Sequence, residues 1–349
     1  GEALVASGRV ALQGLKPSTV DLNLRGAVSA RLLQLILPRY FSEASGIIDV
    51  TVDALGPWQS PRLAGRLALK NVGLLPRRVG REITVRSGTV ELGGARLPDS
   101  SVRLKGLRGT LDDGEFLLDG VLTLADWQPA DVNLRFQGLG IPHRVPHLYE
   151  LHVNTDLQLY SDDRRRLHLD GAVDIADGRY VQRFDLLKDV IAPARIHVQG
   201  KPFWDGVPLL AELALGLRVR TAGAFFVRNN LADMNLDAAL EVTGPLEDPR
   251  LAGEIRTIAG KFSIPFLRGE FQVQEGGTAS FDRGKSVPRE TPEVNMVGET
   301  LFVDSREQEH VITLTLAGPL GQLKFDLHSN TDLGRAQCLA LLSTGRTTE

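Results

Sequence analysis

A ten-residue phrase occurs twice in this chain, 188 residues apart. Gly56-Pro57-Trp58-Gln59-Ser60-Pro61-Arg62-Leu63-Ala64-Gly65 returns as Gly244-Pro245-Leu246-Glu247-Asp248-Pro249-Arg250-Leu251-Ala252-Gly253, with seven of the ten positions identical. Each phrase lies inside a longer stretch, 52–92 and 242–281, that continues in a similar alternation of apolar and polar residues. A third, partial copy is Ala317-Gly318-Pro319-Leu320, followed by Leu323, Phe325 and Leu327. The repeated unit is a strand and a turn. Repetition of such a unit builds an elongated body in which neighbouring copies cover one another.

The same period-two pattern runs through most of the chain. Val10-Leu12 and Val20-Leu22-Leu24 come first, and the longest run is Leu213-Leu215-Leu217-Val219. Leu236-Ala238-Leu240-Val242, Ile312-Leu314-Leu316 and Leu323-Phe325-Leu327 follow. Alternation at period two marks a strand with one apolar face. Turn residues separate the runs at Asp112-Asp113-Gly114, Asp177-Gly178, Asp205-Gly206 and Gly276-Gly277. Residues 138–146 and 281–292 interrupt the pattern, and a soft boundary near 145 divides 1–145 from 146–349. Two stretches read as short helices. Residues 30–37 carry Leu32, Leu33, Leu35, Ile36 and Leu37 between a Ser29 cap and Pro38. Residues 332–342 put Leu333, Ala336, Ala340 and Leu341 on one face behind a Thr331 or Asp332 cap.

Roughly 25 strands at about 4.8 Å spacing would stack to roughly 120 Å in one sheet. Two short helices cannot cover the apolar face of such a sheet. That face must fold onto itself, meet another chain or hold an apolar ligand. The expected fold is all-β: an elongated, curved sheet with an apolar groove, built from repeated strand–turn units, with two short helices. A closed barrel or sandwich satisfies the same pattern.

Composition removes several function classes. Forty Lys and Arg against 43 Asp and Glu give a net charge of −3 with no dominant basic patch, which argues against nucleic acid as the main partner. The one cysteine, Cys338, excludes a disulfide framework and a cysteine-based zinc site. No apolar run approaches the roughly 20 residues that span a bilayer. The chain opens at Gly1 and stops soon after Arg346, and it reads as a fragment whose membrane anchor or export signal lies upstream. Asp112-Asp113 and Asp162-Asp163 sit where turns are expected, as turn carboxylates commonly do. His143 and His147 have the spacing of metal ligands on a helix, but Pro142 and Pro146 oppose a helix there and no third ligand is near. Arg164-Arg165-Arg166 reads as a solvated turn, and Trp58, Trp127 and Trp204 are too dispersed for a sugar-stacking ladder. Nucleophile elbows, phosphate loops and dinucleotide fingerprints are missing. Nothing in the sequence points to an enzyme, a metal or a cofactor.

The second half resembles the C-terminal region of the TamB family, the large periplasmic subunits of the translocation and assembly module of Gram-negative bacteria, within the AsmA-like group. The resemblance rests on VRTAGAFFVRNNLADMNL at 219–236 and on LEVTGPLEDPRLAGEI at 240–255, with Gly244, Pro245, Pro249, Leu251 and Gly253. It also rests on FDLHSNTDLGRAQCLALLSTGR at 325–346, where the family pattern falls on Ser329, Leu333, Leu341, Leu342, Thr344, Gly345 and Arg346. Asn330-Thr331-Asp332 stands where the family usually has a Pro after the Ser. The match is best over 203–346 and looser before it. The resemblance implies a long curved sheet around an apolar groove, tethered to the inner membrane upstream and located in the periplasm. It implies phospholipid movement toward the outer membrane and an Omp85-class barrel partner, TamA-like, engaged through the extreme C-terminus.

A sixteen-carbon acyl chain in water costs about 12 kcal/mol at about 0.8 per methylene. A continuous aliphatic lining removes most of that cost without specific contacts, and lets the chain slide. The expected lining is Leu213, Leu215, Leu217, Val219, Leu236, Leu240, Val242, Ile312, Leu314, Leu316, Leu323, Phe325 and Leu327. A charge at Leu215 or Leu314 breaks such a conduit with little loss of folding if the face is open, and unfolds the protein if the face is a closed core. Two rivals share the pattern. One is an assembly factor for outer-membrane proteins, pairing strands by β-augmentation with an Omp85-class partner. The other is a passive β-solenoid scaffold with a dry core.

Overall fold

A computed structural model describes residues 4–344 except 39, 78–79, 97–99, 126–127, 184–212, 265–266, 275, 283–290 and 305–306. The expected turn at Asp205-Gly206 lies outside the described residues. Among the described residues the protein is all-β, with eighteen strands and two short α-helices. The strands are fewer and longer than the apolar runs suggest. Leu151-Val153 and Leu157-Leu159 belong to one strand, β9 (Tyr149–Ser161), and Leu167-Leu169 and Val173-Ile175 to another, β10 (Leu167–Tyr180). Residues 138–145, expected to break the pattern, finish β8 (Gln128–Val145). Asp177-Gly178 is no turn. It lies inside β10, where Asp177 Oδ1 is 2.9 Å from His152 Nδ1.

The chain divides into two compact units. The first is Gly1–Pro142, Asn154–Ala172 and Lys201–Leu215, and the second is His143–Val153, Val173–Gly200 and Gly216–Glu349. In the first, β1 (Val5–Gln13), β2 (Lys16–Ser29), β3 (Phe41–Pro57), β4 (Arg62–Pro76), β5 (Ile83–Arg96), β6 (Ser100–Leu111) and β7 (Gly114–Ala125) lead to β8 in a meander. Seven antiparallel ladders join these eight strands in chain order. The β6–β7 turn falls on Asp112, at φ 50°, as its sequence suggests. Two strand irregularities are satisfied by side chains of neighbouring strands: Gly106 donates its N–H to Asp119 Oδ1 (2.6 Å) and Gly140 to Asn154 Oδ1 (2.8 Å). Helix α1 (Leu32–Ile36) lays Leu33 against a core of Ala30, Ala44, Ile48, Val72, Val85, Leu107 and Phe116. Ser29 does not cap this helix. Arg31 holds the cap position without a side-chain bond, and Ser29 Oγ accepts the Arg31 N–H instead.

In the second unit, β12 (Ala232–Pro245) pairs with β13 (Arg250–Phe262). Short strands β14 (Phe271–Val273) and β15 (Thr278–Phe281) share one position between β13 and β16 (Glu293–Val303). They are divided at Gly276-Gly277, as expected. Strands β17 (Glu309–Pro319) and β18 (Lys324–Ser329) complete this ladder, and β11 (Ala214–Arg228) completes the eighteen. The second helix, α2 (Arg335–Thr344), starts later than its sequence suggests. Gln337 Oε1 accepts the Gly334 N–H, while Thr331 bonds elsewhere.

The repeated phrase is one hairpin used twice. Gly56-Pro57 closes β3 and Gly244-Pro245 closes β12. The next turn is held by the same bond in both copies, Ser60 N–H to Pro57 O and Asp248 N–H to Pro245 O, each 3.0 Å. Gly65 then lies opposite Val52, and Gly253 opposite Leu240. A Cβ on Gly65 would overlap the Thr51 carbonyl oxygen, and one on Gly253 the Ala239 carbonyl oxygen. The identical Pro-Arg-Leu-Ala-Gly thus delivers a glycine to the point where the neighbouring backbone comes too close for any side chain.

Candidate functional site

The register of the first unit sorts its side chains into two faces. Gly26, Val50, Leu67, Val90, Leu104, Gly120 and Leu134 form one row, each opposite the next across β2 to β8. Leu24, Val52, Gly65, Leu92, Val102, Leu122 and Val132 form the adjacent row on the same face. Val52 and Val132 are buried, and the other side chains of the two rows are half-buried. The row between them, on the opposite face, reads Arg25, Thr51, Arg66, Glu91, Arg103, Val121 and Asn133. One face of seven strands is therefore aliphatic apart from Gly26, Gly65 and Gly120, and the other is mainly polar.

The second unit has the same division. Leu236, Ala238, Leu240 and Val242 stand opposite Thr257, Ile255, Gly253 and Leu251. Ile255 is in turn opposite Ala279, and Met296, Leu316 and Phe325 make a row across β16 to β18. Helix α2 then closes one part of this face. Cys338, Leu341 and Leu342 are fully buried in a core with Phe262, Phe271, Ile312, Leu314 and Leu327. The helix is fastened at both ends. Arg268 donates its N–H to Leu342 O (2.6 Å), and Arg335 Nη2 donates to Phe325 O (3.0 Å) with its guanidinium over the Phe325 ring.

The thirteen positions expected to line a groove fall into three groups. Leu215, Leu217, Val219, Leu236, Leu240, Val242, Leu316 and Leu323 are half-buried, and Phe325 is exposed. Leu213 is buried. Ile312 and Leu314 have no exposed surface and Leu327 has 2%. These last three are core residues under α2, so a charge at Leu314 meets a closed interior. The most continuous aliphatic rows lie instead in the first unit. Their residues carry the same alternation, interrupted by Gly26 and by Gly65 and Gly120, where the neighbouring backbone leaves no room for a Cβ.

The family-pattern residues have structural work. Gly244, Pro245, Pro249, Leu251 and Gly253 build the repeated hairpin. Ser329 ends β18, where its Oγ lies 2.8 Å from Thr331 Oγ1. Leu333 packs beside the core, Leu341 and Leu342 fill it, and the Thr344 hydroxyl donates back to Ala340 O. Gly345 and Arg346 lie outside the described residues. Sequence reasoning missed one polar chain. Thr331 Oγ1 is 2.9 Å from Nδ1 of buried His310, whose Nε2 is 3.4 Å from Oδ2 of buried Asp304. The Thr331–His310 bond ties the approach to α2 to β17. These residues run from Asp304 to Thr331, and of their surroundings only neighbouring Ser329 belongs to the family pattern.

The weighed polar candidates are structural. Asp162 Oδ1 accepts the N–H groups of Arg166 and Arg164, and Oδ2 pairs with the Arg166 guanidinium at 2.9 Å. The Arg166 amide and guanidinium, with His168 and the Arg164 amide, hold the Asp162 carboxyl well below the usual carboxylate range. Asp112 pairs with Arg81 at 3.0 Å. His143 stacks on Tyr149, and His147 occupies a turn at φ 63°. Among the described residues no three His, Cys, Asp or Glu side chains gather as metal ligands. Trp127 and Trp204 lie outside the described residues. Among those same residues no helix is long and apolar enough to cross a membrane.

A search of curated proteins finds no match to this chain. The family model for the TamB C-terminal domain matches residues 105–349, which include β7, β8 and every later strand together with α2. That span is well over half of the sequence and contains both the second copy of the repeated hairpin and the helix that closes the apolar face. The chain belongs to the TamB family.

Proposed function

We propose that the apolar face holds phospholipid acyl chains and that this chain is a segment of a periplasmic conduit between the inner and outer membranes. The observation that carries the reading is the pair of aliphatic rows crossing seven strands with most of their side chains half-buried. A face of this kind shields methylenes at about 25 cal/mol per Å² without fixing their position. The absence of directional polar groups along the rows suits sliding. An upstream inner-membrane tether and an Omp85-class barrel at the far end belong to the same proposal.

Mass spectrometry of lipid extracted from the detergent-free protein tests it. Leu67→Arg with Leu240→Arg places charges on half-buried positions of the face in both units. Phospholipid is expected in the wild type and little in the variant, with circular dichroism unchanged. No lipid in either protein would overturn the conduit and favour the strand-pairing assembly factor.

A further inference from the structure

The whole-chain charge balance conceals a local excess of cations on the polar face of the first unit. Residues 61–110 hold eleven Lys and Arg but three Asp and Glu, and carboxylates outside this segment answer part of the excess: Lys70 pairs with Asp49 at 2.8 Å and Arg81 with Asp112 at 3.0 Å. The register places much of this charge together. Glu91 stands directly between Arg66 and Arg103 in the ladder, with Lys105 bonded to it at 2.8 Å. One carboxylate serves three cations, and all three lower its pKa, Lys105 first. Beside this cluster, Arg86 pairs with Glu115 at 3.1 Å, while exposed Arg108 has no ion pair among the described residues.

Both clusters border clefts of about 430 Å³. Gly65 and Gly93 lie in one with Arg66, Arg103 and Ser101, and Gly109 and Gly138 lie in the other with Arg86, Arg108 and Gln137. Val121 borders the first, and Leu139, 61% exposed, the second. We propose that this polar face of β4 to β8 docks an acidic segment of a partner protein. The guanidinium forks suit carboxylates. The clefts are open, so an extended segment can lie across them and place its side chains beside the cations. Glu91 and Glu115 repel a uniform polyanion such as nucleic acid or an anionic membrane, whereas a protein segment brings donors to them. The apolar residues at the cleft borders complete a mixed surface of the kind proteins bury against each other. The docking face is opposite the aliphatic rows, so it stands or falls independently of lipid carriage.

The test is fluorescence anisotropy of a labelled twelve-residue peptide alternating Glu and Thr, at 0.15 M salt, with a Gln–Thr peptide as blank. Arg66→Glu, Arg103→Glu and Arg108→Glu together are expected to weaken binding at least tenfold. The milder Arg66→Gln, Arg103→Gln, Arg108→Gln triple should weaken it in the same direction. Reversal of Arg164, Arg165 and Arg166 is the control and should change binding less than twofold. Circular dichroism and extracted lipid should match wild type in every variant. Equal loss in the control triple, no binding of the Glu–Thr peptide, or cosedimentation with anionic phosphatidylglycerol vesicles in place of peptide binding would each overturn the proposal.

Discussion

Replacing Leu314 by Ala should loosen the core under α2, replacing Leu240 should not, and Cys338 can report the difference. Leu314 has no exposed surface and belongs to one core with Leu327, Cys338, Leu341 and Leu342. Truncation removes about three methylenes, or ~2.4 kcal/mol, and leaves a cavity, so the cost is about 3 kcal/mol. Leu240 is half-buried on the apolar side of β12, opposite Gly253. It loses about half the transfer energy without a closed cavity, about 1 kcal/mol. Cys338 is the one thiol in the chain and is fully buried, and burial pushes its pKa up. A disulfide reagent therefore reaches its thiolate when α2 lifts. Where reclosing outpaces labelling, the rate follows the opening equilibrium, about tenfold per 1.4 kcal/mol. Leu314→Ala should label about 100-fold faster than wild type, and Leu240→Ala less than about tenfold faster. Labelling of Leu314→Ala within about fivefold of wild type, with circular dichroism unchanged, would refute the reading of this end as a closed core.

Three further outcomes follow from the geometry. Gly56 has positive φ but open space around its Cβ direction, so Gly56→Ala should cost only backbone strain of about 1–3 kcal/mol, whereas Gly65→Ala should cost more and lower amide exchange protection at Val52. Thr331→Val removes the hydroxyl beside buried His310 Nδ1, and should destabilise the α2 core by about 1–3 kcal/mol, read as faster Cys338 labelling. The Asp162 carboxyl has a depressed folded pKa, so its contribution is complete above its unfolded value of about 3.9 and is lost as pH falls through the lower folded value. Amide exchange at Arg164 and Arg166, corrected for its intrinsic pH dependence, should rise over that acid range in wild type and be already high at neutral pH in Asp162→Asn.

The strands and their faces were legible because period two is a local signal. Leu236, Leu240 and Val242 needed only their neighbours in sequence to declare a side. Strand lengths were less legible. Asp177-Gly178 looks like a hairpin turn on its own, yet Asp177 meets His152 across the ladder and the strand continues. The same non-local pairing gives Gly65 and Gly253 their role. Their repetition was plain in the sequence, but the carbonyl oxygen that excludes a Cβ belongs to another strand.

What the alternation could not state is which part of an apolar face is covered. Leu240 and Leu314 are the same residue in the same kind of strand, each at a position alternating with polar neighbours. One is half-buried and the other is sealed because α2 lies over it, fastened by Arg268, Arg335 and the approach through Thr331. The charge balance hides local detail for a related reason. Averaging over 349 residues removes the excess that the ladder concentrates around Glu91. A strand reveals its faces, but their cover and their field are properties of the register. A charge introduced at Leu240 and one introduced at Leu314 therefore ask different questions, the first about what the face carries and the second about whether α2 stays in place.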